Sequence, residues 1–173
     1  MQTPDRVAFT VFGLPILWYG ILVATGIAVV VLISCLRAKR HGISSDRTLN
    51  FALVCAVVGI ICARLYYVLF NWSWYGEDLA RIFQLREGGL AIHGGLIGGL
   101  IAVIIMCRFT HERVLNVADL FFAVVPLGQA IGRWGNFFNG EAHGTETSLP
   151  WAVIIDGTSY HPTFLYESIW CVL

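Results

Sequence analysis

An all-α, polytopic membrane fold is what this 173-residue sequence predicts, and three observations predict it. Hydrophobic residues make up 57% of the chain and charged residues only 13%, where a soluble domain carries about 25% charged and about 45–50% apolar residues. The mean hydropathy is +0.73. The apolar residues are gathered in runs long enough to cross a hydrocarbon core of roughly 30 Å, which takes about 20 helical residues. One water-facing domain cannot bury that much apolar surface, so the excess faces lipid. Lys plus Arg and Asp plus Glu are each 11, for a formal net charge of zero. That balance offers no basic footprint for nucleic acid.

The runs predict four complete transmembrane helices and the start of a fifth, in a single transmembrane domain over residues 1–173. The first span covers about 14–36 and holds no charge; the second covers about 49–70 and holds Arg64. The third covers about 90–107 with His93 near its start, and the fourth about 115–131. A fifth, incomplete run occupies 164–173. Positive charges follow the first span instead of preceding it, so it reads as a retained anchor and not as a signal peptide. An irregular polar segment is expected after the fourth span.

Basic residues set the orientation. Arg37, Lys39, Arg40 and Arg47 lie between the first two spans, and Arg108 and Arg113 between the third and fourth. The opposite side carries Arg6, Arg81, Arg86 and Arg133 over longer stretches. The positive-inside rule makes the first two loops cytoplasmic and the N-terminus external. Trp72, Trp74, Tyr75, Trp134 and Trp151 then fit an interfacial aromatic belt on the outer side. His41 and His111 fall in the cytoplasmic loops and read as solvated.

The small and soft residues read as packing. Gly94 with Gly98 and Gly95 with Gly99 form two G-x-x-x-G pairs, which let helices approach closely in lipid. Cys35, Cys55, Cys62, Cys107 and Cys171 sit in or beside apolar runs with no C-x-x-C spacing. They read as polarizable packing residues, with neither a disulfide framework nor a zinc site implied.

Ionisable groups in a membrane are functional candidates by default, and here they share a depth. Tyr19 lies about five residues into the first span, and Arg64 is six residues, roughly 9 Å, from the outer end of the second. His93 is three residues into the third span, while Arg133 and Asn136 follow the fourth directly. Four helices are thus expected to bring polar groups to one outer site. An ion pair between Arg64 and Asp119 is excluded by a depth difference of roughly 15 Å. Asp119, with Asn116 as N-cap, is expected in the first turn of its helix, where the dipole favours a carboxylate. Arg64 then binds an anion or supports the site.

The stretch GRWGNFFNGEAHG, 132–144, concentrates the chemistry. Its glycines and asparagines are expected to interrupt the helix, and Arg133, Asn136 and Asn139 supply donors suited to a phosphate or carboxylate. Ionised Glu141 cannot bind an anion, so it orients Arg133 or acts on a proton. Glu141, His143 and His161 lack the H-E-x-x-H spacing of a zinc site, and no metal is expected. Two other classes are weaker. An anion-binding transporter would use Arg64 and an interrupted helix, but no inverted repeat is evident and the polar groups avoid the midplane. An intramembrane protease would need a serine paired with a histidine, and no G-x-S-x-G occurs.

Four stretches, in order, resemble the prolipoprotein diacylglyceryl transferase family: WYG at 18–20, REGGLAIHGGLIGG at 86–99, GQAIGRWGNFFNGEAHG at 128–144 and HPTFLYES at 161–168. The resemblance covers nearly the whole chain. It implies a transferase of the bacterial plasma membrane that moves a diacylglyceryl group from phosphatidylglycerol to the lipobox cysteine of a prolipoprotein, the first step of lipoprotein maturation. The partners implied are phosphatidylglycerol, a prolipoprotein signal peptide and membrane lipid. No cofactor is implied. By the same resemblance Arg133 binds the headgroup phosphate; Arg64, from its depth in the membrane and not from the resemblance, is counted as a further binding residue. Asn136, Asn139 and Gly144 shape the headgroup pocket, and Tyr19 lines it. His93 is the candidate base and Glu141 its rival, and His161 and Glu167 match the last motif with less defined roles. Family members continue past HPTFLYES with further transmembrane helix, so the chain is expected to be a fragment, active or inactive, of such an enzyme.

Overall fold

The structure is a computed structural model that describes Met1 and residues 3–76, 78–84 and 88–173. Arg86, counted above among the basic residues, and Glu87 of the REGG stretch lie outside the described residues. The fold is mostly helical. Three helical segments, Trp18–His41, Ser45–Phe70 and Ile92–Thr110, are long and apolar enough to cross a membrane. A pair of shorter helices, Val114–Phe122 and Val125–Asn139, bent by 44°, makes a fourth if the two together form one span. Contacts divide the chain into two compact units, Met1–Ser34 with Phe121–Leu173, and Cys35–Leu120.

The unit Cys35–Leu120 is built on two long helices, α2 (Ser45–Phe70) and α4 (Ile92–Thr110), with the single turn α3 (Trp72–Tyr75) between them. Helix α2 starts four residues before its apolar run because Ser44 caps it, its Oγ accepting from the Arg47 N–H at 3.2 Å. Asp46 in the first turn complements the dipole. Gly94 and Gly98 let α4 lie against α2: a Cβ on Gly94 would sit 2.9 Å from the Ala63 Cα and collide with the Cys62 carbonyl. A Cβ on Gly98 would sit 2.5 Å from that of Cys62. The contact order descends α2 as it ascends α4, so the pair is antiparallel. The second glycine pair is different. Gly95 makes only ordinary contacts, and Gly99 has open space where a Cβ would be. Gly94→Ala is therefore expected to lower the melting temperature of the detergent-solubilised protein, through an overpacking cost of about 1–3 kcal/mol. Gly99→Ala should be neutral or stabilising by up to about 1 kcal/mol through helix propensity. Equal melting temperatures for the two variants would contradict the packing.

Two expectations change at the far end of this unit. Asn116 does not cap a helix. It lies inside α5 (Val114–Phe122) and donates from Nδ2 to the His41 carbonyl at 2.7 Å. Asp119, three residues further on, lies beyond the first turn of α5, not in it as expected, and reaches His41 Nδ1 at 3.5 Å. His41 is accordingly not solvated: its side chain is 13% exposed. It ends the 3-10 turn Ala38–His41, which Gly42 closes in the left-handed conformation at φ 71°. Arg47 and Glu112 form an ion pair nearby. Asp119 and Arg64 remain unconnected, as the depth argument required.

The other unit begins with a hairpin that hydropathy alone hides. Residues Val7–Val11 (β1) and Leu14–Leu17 (β2) pair antiparallel through a turn at Phe12 and Gly13, with φ of 49° and 80°. Gly13 supplies the turn and Pro15 keeps the strand after it extended, so helix α1 starts at Trp18 and runs to Arg37. Helix α6 (Val125–Asn139) crosses α1 at two glycines: a Cβ on Gly26 would meet the Gly128 carbonyl at 2.7 Å. Helix α6 continues through the stretch expected to be irregular and ends only at Gly140, whose φ of 67° suits the left-handed cap. Helix α7 (Thr163–Val172) packs on it. Ser168 Oγ donates to the Ala130 carbonyl at 2.9 Å and accepts from Trp134 Nε1 at 3.2 Å. Phe164, 2% exposed, lies between Trp134 and Phe137. The irregular segment is thus 140–162, and it contains a second small hairpin, Val153–Ile155 (β3) with Thr158–Tyr160 (β4). Met1 is tied to this hairpin, its carbonyl accepting from the Ile154 N–H at 2.7 Å.

Candidate active site

The last two turns of α6 carry Arg133, Asn136 and Asn139 at three-residue intervals, so the three run down one side of the helix. Asn136 and Asn139 both donate from Nδ2 to Glu141 Oε1, at 3.2 and 2.9 Å. The Glu141 N–H in turn donates to the Asn136 carbonyl at 3.0 Å. The left-handed turn at Gly140 folds the chain back so that these bonds can form. Glu141 therefore holds the two amides in place, and its Oε1 is occupied.

Arg133 is oriented by a different carboxylate from the one expected. Its Nη2 lies 2.5 Å from Glu167 Oε2, on the first turns of α7. The Arg133 side chain is 29% exposed and that of Glu167 44%, so the pair is reachable from outside. No local signal links residues 34 positions apart. Trp134 and Ser168, the neighbours of Arg133 and Glu167 in sequence, are themselves hydrogen-bonded, and this lock between α6 and α7 brings the ion pair together.

Tyr19 joins the same neighbourhood. Gly135 lies between Arg133 and Asn136, and a Cβ there would come within 2.7 Å of Tyr19 Cδ2. The ring rests on the helix backbone at the only kind of residue that admits it. Trp18 stacks on Phe138 at 5.1 Å between centroids. Gly144 is similarly constrained: a Cβ would meet that of His161 at 2.9 Å, and its N–H donates to the His161 carbonyl at 2.9 Å. His161 Nδ1 is 3.2 Å from the Tyr166 hydroxyl, which accepts from Trp151 Nε1 at 3.0 Å. His143 lies apart from this chain, against the Tyr160 ring at 4.1 Å. Tyr19, Arg133, Asn136, Asn139, Glu141, Gly144, His161 and Glu167 thus all belong to one unit, built around the end of α6 and the start of α7. Among the described residues no group of three or more His, Cys, Asp or Glu side chains is placed to hold a metal ion.

Arg64 and His93 belong to the other unit. Arg64 is 5% exposed, and backbone carbonyls take all of its donors. Its Nε donates to Ile82 at 2.8 Å, Nη1 to Gly88 at 2.7 Å and Gly89 at 2.9 Å, and Nη2 to Arg81 at 2.6 Å and Gln84 at 3.3 Å. A guanidinium has five N–H bonds, and here each has an acceptor. The Tyr75 ring lies 5.1 Å from its Cζ. Of the two roles open to Arg64, this geometry favours support over direct anion binding. His93, the second residue of α4, is exposed with its ring 6.1 Å from that of Tyr66.

The chain matches known proteins over nearly its whole length. A family profile described as prolipoprotein diacylglyceryl transferase matches residues 6–173. A phosphatidylglycerol–prolipoprotein diacylglyceryl transferase of Clostridioides difficile (strain 630) is 57% identical over 166 residues, 96% of this chain and 67% of the relative. Proteins of the same name from Clostridium novyi (strain NT) and Finegoldia magna (strain ATCC 29328 / DSM 20472 / WAL 2508) are 49% and 46% identical. They are matched over 98% and 95% of this chain and 70% and 66% of their own lengths. The chain spans about two thirds of the length of these relatives. All four stretches that carry the resemblance lie within the matched residues, and the chain belongs to the prolipoprotein diacylglyceryl transferase family.

Proposed function

We propose that the chain serves the transfer of a diacylglyceryl group from phosphatidylglycerol to the lipobox cysteine of a prolipoprotein. Its relatives are named for the reaction. The observation that carries the reading is the Arg133 guanidinium, reachable from outside and held by Glu167 beside two fixed asparagine amides. In the proposed reaction the cysteine thiol loses its proton and the sulfur attacks the glyceryl carbon that bears the phosphate. The carbon–oxygen bond breaks, a thioether forms, and glycerol phosphate leaves with the bonding electrons. Arg133 stabilises the charge growing on that phosphate. Only a few per cent of a free thiol is ionised at neutral pH, so a base speeds the attack. His93 is proposed for it on the resemblance of its stretch. Glu141 is the weaker candidate because two amides already engage its Oε1. Tyr19 and Gly144 hold the shape around α6.

The proposed setting is the bacterial plasma membrane with the N-terminus outside. Single cysteines at Ser44 and Glu112 should then resist an impermeant thiol reagent in intact cells, while cysteines at Gly76 and Thr147 react. Labelling at Ser44 would reverse the orientation.

Glu167 gives a finer expectation. In a full-length relative substituted at the matching position, Glu167→Ala lets the guanidinium drift and should lower kcat about tenfold, within the range that small misplacements cost. Glu167→Gln keeps an oxygen for Nη2 and should retain most of the turnover. Equal losses in both would show that the charge, not the positioning, matters.

The function itself is tested by reconstituting a full-length relative in vesicles with a lipobox peptide. With phosphatidylglycerol present, mass spectrometry should show a diacylglyceryl thioether on the cysteine and glycerol phosphate in solution. Vesicles of phosphatidylcholine alone should give neither, and product in both would refute the donor assignment.

A further inference from the structure

Five carbonyls from 81–89 point at one buried guanidinium, and this cradle sits at the entrance to α4. Gly88 and Gly89, whose carbonyls share Arg64 Nη1, have φ of 84° and 83°. Both are left-handed positions where a side chain would be strained. A Cβ on Gly89 would also collide with Arg64 Nη1 and come within 2.9 Å of the Tyr67 ring. Two residues on, the Ala91 N–H donates to the Ala63 carbonyl at 3.1 Å, one residue before Arg64 on α2. Helix α4 then begins at Ile92, and Gly94 presses it onto Cys62, Ala63 and Tyr66. His93 lies between the Ala91 bond and the Gly94 contact, so the chain is pinned to α2 on both sides of it.

We propose that Arg64 is a positioning residue for the transfer reaction. By gathering the carbonyls of Arg81, Ile82, Gln84, Gly88 and Gly89, it sets where α4 starts and so where the His93 ring is held. The proposal rests on the reading of His93 as the thiol base. Arginine suits the task and lysine does not. A planar guanidinium keeps its charge and offers five donors in a fixed fork, whereas an ammonium offers three from one point. A hydrogen bond from a charged donor contributes more than a neutral one, and carbonyls are acceptors a loop can always supply. The cradle also removes Arg64 from competition for the donor phosphate, because all five of its N–H bonds already have carbonyl acceptors and binding an anion would cost it some of them.

The experiment uses a full-length relative carrying Arg64→Lys, Arg64→Gln or Gly89→Ala at the matching positions. Steady-state kinetics and backbone hydrogen exchange are measured together. The expected result is faster exchange at Leu79–Gln84 and Gly88–Ala91 in all three variants. It comes with a fall in kcat of about tenfold to a hundredfold, the scale on which a misplaced catalytic group costs rate, and a KM for phosphatidylglycerol within about twofold of wild type. Gly89→Ala is decisive if Arg64→Gln fails to fold, since it disturbs the cradle while retaining the arginine and its charge. A raised KM with unchanged exchange would make Arg64 a phosphate ligand and overturn the proposal, as would unchanged kcat in Gly89→Ala. The His93 reading is tested separately by His93→Gln. If that variant keeps full activity while the Arg64 variants lose it with faster exchange, the cradle stands as a loop clasp and the link to the base is lost.

Discussion

Replacing Arg133 with lysine is expected to abolish turnover almost as completely as replacing it with alanine. The guanidinium stands at the end of α6 with Nη2 on Glu167 Oε2, which leaves its other donors able to address a phosphodiester. Two parallel hydrogen bonds to phosphate oxygens come only from the planar fork, and the charge persists at any accessible pH. Losing one donor that stabilises charge in the transition state costs about 3–4 kcal/mol, or roughly a hundredfold to a thousandfold in rate. Lysine would keep a positive charge and lose the geometry, so most of that penalty should remain. The competing account is that Arg133 anchors the helix end by snorkelling to headgroups, a task lysine performs as well. Lipidation of a lipobox peptide by full-length enzyme carrying each substitution separates the two. Near-normal turnover with lysine would leave only the anchor.

The second large effect is expected at His93. Removing a general base typically costs about a hundredfold to ten-thousandfold, and His93→Gln keeps size and polarity while removing the basic nitrogen. Its kcat should fall by at least about a hundredfold at neutral pH. Raising the pH supplies thiolate without a base, so the deficit should shrink as the peptide thiol ionises near pH 8–9. His143→Gln should lose far less, because His143 lies against Tyr160 and hydrogen-bonds to the Gly144 carbonyl. Wild-type turnover by His93→Gln at neutral pH would end the base role. A loss that no increase in pH recovers would assign His93 to structure.

What the sequence revealed divides by the range of the interaction. The second and third spans were legible because hydropathy is local, and Ser45–Phe70 and Ile92–Thr110 lie within four residues of the expected 49–70 and 90–107 at either end. The first span began too early because Val7–Leu17 is apolar and a hairpin carries no hydropathy mark. Pro15 and the Phe12–Gly13 turn were the available signals. Helix α6 was ended too early for a different reason. Glycine and asparagine are poor helix formers, yet tertiary contacts override propensity here. Tyr19 fills the space over Gly135, and Trp134 and Phe137 pack on Phe164. The candidate residues of the 132–144 stretch were identifiable by type, but their partners were not. Glu167 meets Arg133 from a separate helix, and the acceptors of Arg64 are backbone carbonyls, which have no sequence identity at all. Asp119 and His41 show the same limit, since a pair 78 positions apart leaves no spacing to read.

The central claim is that Arg133 holds the phosphate of the lipid donor, and lipid retention tests it without any turnover. Without a prolipoprotein the donor can bind but not react. Native mass spectrometry of a full-length relative, purified from detergent with added phosphatidylglycerol, should show bound phosphatidylglycerol on the wild type. The matching Arg133→Ala protein should lose most of it while retaining the same melting temperature. Equal occupancy of phosphatidylglycerol in both proteins would contradict the account.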